Sequence, residues 1–185
     1  MEWVLLGIVV LLLLWLVVIY NRLVSLRQAV AQAWADIEVQ LKQRHDLIPN
    51  LVETVKGYAS HERSTLEAVI AARNTAVRAQ GPEQASAAEG QLGAALSRLF
   101  ALSEAYPDLK ANTNFLSLQG ELSNVENLLA AARRFFNNSV AEYNASIQSI
   151  PAVFFAGSLG FGPRGFFELD ENERAATKNA PQVKF

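Results

Sequence analysis

The chain has 185 residues, 51% of them hydrophobic and 18% charged, with a net charge of −2 and a pI near 5.7. That length leaves room for one ordinary domain with a single core, and the balanced charge, with no basic stripe among aromatics, argues against a nucleic-acid partner. The absence of cysteine excludes disulfides, thiolate metal sites, a cysteine nucleophile and a lipidated-cysteine anchor.

Residues Trp3 to Tyr20 carry no charge and no proline. Eighteen helical residues span about 27 Å, enough to approach a hydrocarbon core of about 30 Å. Trp3 and Tyr20 sit at the two ends, where amphipathic rings prefer the headgroup level, and Leu11 and Trp15 lie within the span. A cleavable signal peptide would need a basic leader and small residues at a cleavage site. Only Glu2 and the α-amine precede this run, and Ile19-Tyr20-Asn21-Arg22 closes it. The reading is a retained single-pass transmembrane helix in residues 1–21. Arg22 and Arg27 follow the span and no Lys or Arg precedes it, so the positive-inside rule predicts an N-out topology with the remainder in the cytoplasm.

No helix breaker marks the end of the span. Leu23, Leu26, Val30, Ala33, Ile37 and Leu41 continue at spacings of three and four, one face of a helix that runs on from the membrane. Pro49 predicts a bend or break, because proline lacks an N–H and disfavours helix in its predecessor. Leu51, Val52, Val55, Tyr58 and Ala59 then resume the period, Gly57 and residues 60–62 weaken it, and a further helix carries Leu66, Val69, Ile70 and Val77 as far as Gln80-Gly81-Pro82. An alanine-rich helix from Glu83 presents Leu92, Leu96, Leu99 and Leu102, and Tyr106-Pro107-Asp108 closes it with turn chemistry. The last long segment alternates three and four at Phe115, Leu118, Leu122, Val125, Leu129, Ala132 and Phe136, a heptad-like seam. Val140, Tyr143, Ile147 and Ile150 follow after an extra four-residue step, and Pro151 ends the helix. The predicted fold is all-α, with no sheet: a transmembrane helix continuing into a soluble antiparallel bundle of about four long helices over residues 22–151.

Residues 152–167 differ in kind. Phe154, Phe155, Phe161, Phe166 and Phe167 are interleaved with glycines and Pro163. Two readings stand: a loop that packs its phenylalanines on the bundle, or an apolar patch that docks on a neighbouring subunit or the membrane interface. Residues 168–185 read as a charged, mobile tail whose final Val-Lys-Phe has the character of a docking peptide.

Catalytic and metal chemistry find little purchase. No Glu-x-x-His pair supports a di-iron bundle, since Lys42 and Tyr58 stand three residues before His45 and His61. His61-Glu62 begins like a zinc-protease helix, but Thr65 stands where the second histidine belongs. His45-Asp46 and His61-Glu62 read as polar surface or caps, with a metal-dependent enzyme built on both histidines as the remote alternative. No Gly-x-Ser-x-Gly elbow occurs, and the glycine-rich run at 160–165 lacks the Gly-Lys-Ser/Thr ending of a phosphate loop. Arg44, Asn50, Asn112, Asn114, Asn124, Asn127 and Asn144 lie on or beside helix faces. Capping and exposed faces account for most of them, and buried ones would fix register.

The stretches Tyr20–Arg27 and Ala33–Val52, with Arg44-His45-Asp46-Leu47-Ile48-Pro49-Asn50-Leu51 at the core of the second, resemble the LemA family of bacterial membrane proteins. Val55–Ala59, Tyr106–Asn112, Leu122–Arg134, Tyr143-Asn144 and the C-terminal Gly-Phe and Phe-Phe-Glu elements extend the resemblance over nearly the whole chain. Glu38, where Asp is more familiar, and Phe135-Phe136, where Tyr is more usual, are small departures. The resemblance implies an N-terminal anchor, commonly N-out, and a soluble helical bundle, with no agreed enzymatic activity and no catalytic residue to carry over. Some members are encoded beside a membrane zinc metalloprotease of the HtpX type, and relatives act in magnetosome membrane formation.

The functional expectation is a scaffold on the bacterial inner membrane, without catalytic activity or cofactor, whose partners are the bilayer and further copies of itself. Confinement to a plane raises effective concentration, so weak contacts between bundles suffice to build arrays. The alternative is an adaptor that presents substrates to a membrane protease.

Overall fold

In a computed structural model the chain is described over residues 1–59 and 61–167, and among these the secondary structure is helical with no strand. The helices are α1 (Glu2–Lys56), α2 (Arg63–Arg78), α3 (Gly81–Ser103), the short α4 (Pro107–Lys110) and α5 (Thr113–Gln148), followed by a 3-10 turn at Ala152–Phe154. Four are long, as the apolar spacing predicts. The expected charged tail lies outside the described residues.

α1 runs unbroken for 55 residues, about 82 Å at 1.5 Å per residue. Residues 1–18 are exposed throughout, and burial sets in at Leu23. The free-standing stretch is long and apolar enough to cross a membrane, and its apolar residues are not covered by the rest of the chain.

The predicted break at Pro49 does not occur: Pro49 lies inside α1, which ends seven residues later at Lys56 with Gly57 as cap. A proline removes the N–H that would bond the carbonyl four residues back, here that of His45. Arg73 of α2 replaces it, its Nε donating to the His45 carbonyl oxygen at 2.8 Å. The acceptor that proline orphans is thereby satisfied from a neighbouring helix, and the ladder resumes.

α1 and α5 form a long antiparallel pair. Trp34 packs on Phe136 and Arg44 pairs with Glu126, so ten residues up α1 match ten back along α5. Buried side chains recur every seven residues on both: Leu23, Val30, Ile37, Arg44 and Leu51 on α1, and Phe115, Leu122, Leu129, Phe136 and Tyr143 on α5. That spacing keeps one face of each helix on its partner over many turns. α2 and α3, joined at Ala79-Gln80, pack on each other, and α2 packs on the far part of α1. Gly81, with a positive φ of 75°, supplies the sharp entry into α3, and Pro82 follows at its first turn. At the far end Asn112 caps α5 by accepting the Phe115 N–H at 3.0 Å, and its amide donates to the Tyr58 hydroxyl at 2.9 Å.

Burial divides into two apolar clusters. One joins Leu23 through Leu41 of α1 to Leu129 through Ile147 of α5 and includes Phe161 and Phe167. The other, farther from the apolar stem, joins Ile48 through Val55 to α2, α3, Leu109, Phe115 and Leu122.

Candidate functional site

Between the two clusters lies a polar layer. Leu41 belongs to one and Ile48 to the other, and Arg44 and His45 fall between them. Arg44 Nη1 donates to Glu89 Oε2 of α3 at 2.7 Å, and Nη2 reaches Glu126 Oε1 of α5 at 3.1 Å. His45 Nε2 lies 2.6 Å from Glu89 Oε1, so both oxygens of this carboxylate are engaged. Arg44, His45 and Glu89 are buried, whereas Glu126 is half exposed.

One guanidinium thus ties three helices at one level. It occupies a seam position of the seven-residue repeat, which explains its burial. Removing two charges from water is costly, and only paired geometry offsets it. Such a layer specifies which residues of α1, α3 and α5 lie side by side.

His45 is therefore buried, where its polar neighbours in the sequence predict surface or a cap. Asp46 does face outward, and the hydrogen bond from Lys42 one turn earlier holds its carboxyl below the usual carboxylate range. His61 stands exposed in the turn before α2, apart from the buried layer. Among the described residues no three His, Cys, Asp or Glu side chains gather as a metal would require. Of the seam-side polar residues, Asn50, Asn114, Asn124 and Asn127 are exposed. Asn112 caps α5 and Asn144 makes a clamp.

That clamp is the second feature. After the 3-10 turn the chain folds back along α5 toward α1, and two asparagines grip its main chain. Asn144 accepts the Arg164 N–H and donates to the Arg164 carbonyl, each at 2.9 Å. Asn137 does the same to Phe167, at 2.9 and 3.0 Å. Seven helical residues rise about 10.5 Å and three extended residues cover about 10 Å, so the spacings match. The Tyr143 hydroxyl donates to the Gly162 carbonyl between the seam and the strap.

The five phenylalanines divide accordingly. Phe161 and Phe167 are 3% and 1% exposed and belong to the chain's own core, which removes them from the candidate partner contacts. Phe161 meets the Tyr20 edge at 5.6 Å with the Arg27 guanidinium over its face, and Phe167 lies between Trp34 and Arg133. Phe155 is partly buried, while Phe154 and Phe166 are exposed. Trp3, Leu11, Trp15 and Tyr20 of the span are exposed as well, Tyr20 at the boundary where packing begins. An open groove of about 710 Å³ between α1, the start of α3 and the strap is walled by Arg27, Trp34, Glu83, Phe136 and Arg164.

Among the described residues the arrangement holds helices together, and no nucleophile is seen poised beside a base. The LemA family model matches residues 33–185. Among curated proteins, the magnetosome protein MamQ of Magnetospirillum gryphiswaldense is 27% identical over 77% of this chain and 62% of its own length. The magnetosome protein MamQ 2 of Paramagnetospirillum magneticum is 24% identical over 80% of this chain and 64% of its own. The protein LemA of Metamycoplasma hominis is 25% identical over 83% and 71%. The chain thus spans less than two thirds of the length of the MamQ relatives.

Proposed function

The chain belongs to the LemA family, and from that premise we propose that it is a membrane-anchored scaffold, without catalytic activity of its own, that organises membrane by self-association. The observation that carries this reading is α1, a single helix that is bare and apolar for eighteen residues and then becomes the spine of the bundle. A tether would hold a domain near a membrane in any orientation. A shared helix fixes how the bundle stands on it, which is what regular lateral contact between copies requires. The similarity to proteins named for the magnetosome supports a role in membrane organisation. The bacterial inner membrane with an N-out topology is the location we assign, on the arginines that follow the span.

Full-length protein crosslinked in its native membrane, and sized in nanodiscs, tests the proposal. The expected result is a ladder of oligomers and a particle larger than one chain. A single-copy particle with no crosslinked species overturns it, and a stoichiometric protease retained on such a monomer would favour the adaptor reading instead.

A further inference from the structure

The register of α1 on α5 places the end of α5 at the membrane. Moving fourteen residues down each helix from the Trp34–Phe136 contact brings Tyr20 level with Ile150. Phe161, eleven residues beyond, packs on Tyr20 itself, so the turn from Ile150 to Phe161 is held beside the point where α1 leaves the span. Its surface is apolar: Ile150 is 80% and Phe154 77% exposed, with Val153 and Leu159 also open to the surroundings. An exposed cluster of this kind marks a contact surface.

The charges around it are net positive. Residues 3–35 and 135–167, which make up this end of the molecule, carry Arg22, Arg27 and Arg164 against a single acid, Glu142, which lies about level with Arg27 and farther from the span than Tyr20. Glu83 approaches at Gly165, on the far side of Arg164 from the span. Apolar tips beneath an arginine collar fit a bilayer interface rich in anionic lipid. A second copy meeting the same face isologously would set collar against collar.

We infer that the Ile150–Phe161 turn is a foot that enters the headgroup–acyl boundary of the bilayer crossed by α1, with Arg22, Arg27 and Arg164 on anionic headgroups. The bundle then touches the membrane at two places, the span and the foot. The inference rests on α1 crossing the bilayer, and the experiment separates the two.

The chain has no cysteine, so single sites can be labelled. Gly157 lies in the turn, and a Cβ there meets nothing within 4 Å. Full-length Gly157→Cys carrying an environment-sensitive fluorophore is placed, one copy per nanodisc, in phosphatidylcholine with and without phosphatidylglycerol. Lipids spin-labelled near the headgroup act as quenchers. Val18→Cys in the span and Val39→Cys on the exposed side of α1 are the high and low references.

Quenching at Gly157→Cys should approach that at Val18→Cys and rise with phosphatidylglycerol. Adding Phe154→Asp and Leu159→Asp should lower it at least threefold with helix content unchanged, and Arg164→Gln should flatten its dependence on phosphatidylglycerol. Quenching no greater than at Val39→Cys overturns the inference, as does protection that appears only with several copies per disc, which assigns the face to a neighbouring chain. An unquenched Val18→Cys overturns the transmembrane reading itself.

Discussion

At the scale of single residues, two pairs do much of the specifying, Arg44 with Glu89 and Arg73 with Pro49. Arg44 has no apolar substitute at its level while Glu89 remains. Arg44→Met leaves a buried carboxylate with His45 alone, and uncompensated removal of one partner from a buried pair costs about 3–5 kcal/mol. Thermal unfolding in detergent should show that loss, and the double change Arg44→Met with Glu89→Leu should recover a large part of it. Equal damage from the double variant would show that the layer stabilises through more than charge pairing. Arg73 invites a cycle with Pro49. Its hydrogen bond to the His45 carbonyl matters because proline leaves that oxygen free, so Arg73→Met should cost about 1–3 kcal/mol in the parent. In a Pro49→Ala background the helix supplies its own donor and the loss should shrink to a few tenths, near the noise of such cycles. Additive effects would refute the compensation.

Elements obey simpler rules, and most were legible in the sequence. Apolar spacings of three and four placed the long helices within a few residues, and Gly81-Pro82 and Pro107 opened helices close to where turn chemistry put boundaries. Misreadings share one cause, a partner remote in sequence. Pro49 looks like a break because its rescuer lies in α2. His45 looks like surface because Glu89 sits in the next-but-one helix, among alanines. The glycine-rich segment kept two readings open because its ligands, Asn137 and Asn144, use side-chain amides to mimic a neighbouring strand. Their seven-residue spacing was visible, but nothing local distinguished them from exposed asparagines. The strap offers its own test. Asn137→Ala with Asn144→Ala leaves the Phe167 and Arg164 amides without their partners, and limited proteolysis should then cut within 157–167 at least tenfold faster while α1 and α5 remain protected. Unchanged cleavage would mean that Phe161 and Phe167 alone hold the strap.

For the whole molecule the decisive element is α1, because it belongs to two environments at once. Its lower third is bare and apolar and its upper two thirds meet protein, with Tyr20 and Ile19 at the join. Inserting Gly-Gly between Asn21 and Arg22 keeps the span and the bundle but breaks their mechanical continuity, since glycine disfavours helix by about 1 kcal/mol each. Membrane attachment should persist, and the crosslinked ladder should collapse toward dimers and monomers. An unaltered ladder would show that the bundle assembles without guidance from the bilayer.

An unbroken spine of this length is also a lever. The part beyond the apolar stem, from Arg22 to Lys56, extends about 52 Å, so tilting the stem by about 10° sweeps the distal end sideways by about 9 Å. The apolar stretch is close to the thickness of a hydrocarbon core, and thinning of the bilayer is accommodated by tilt. Small changes in membrane thickness, invisible at the surface, would become large displacements at the tip of α2 and α3. With the foot seated on the leaflet as a fulcrum, the molecule would convert bilayer thickness into the spacing between neighbouring bundles.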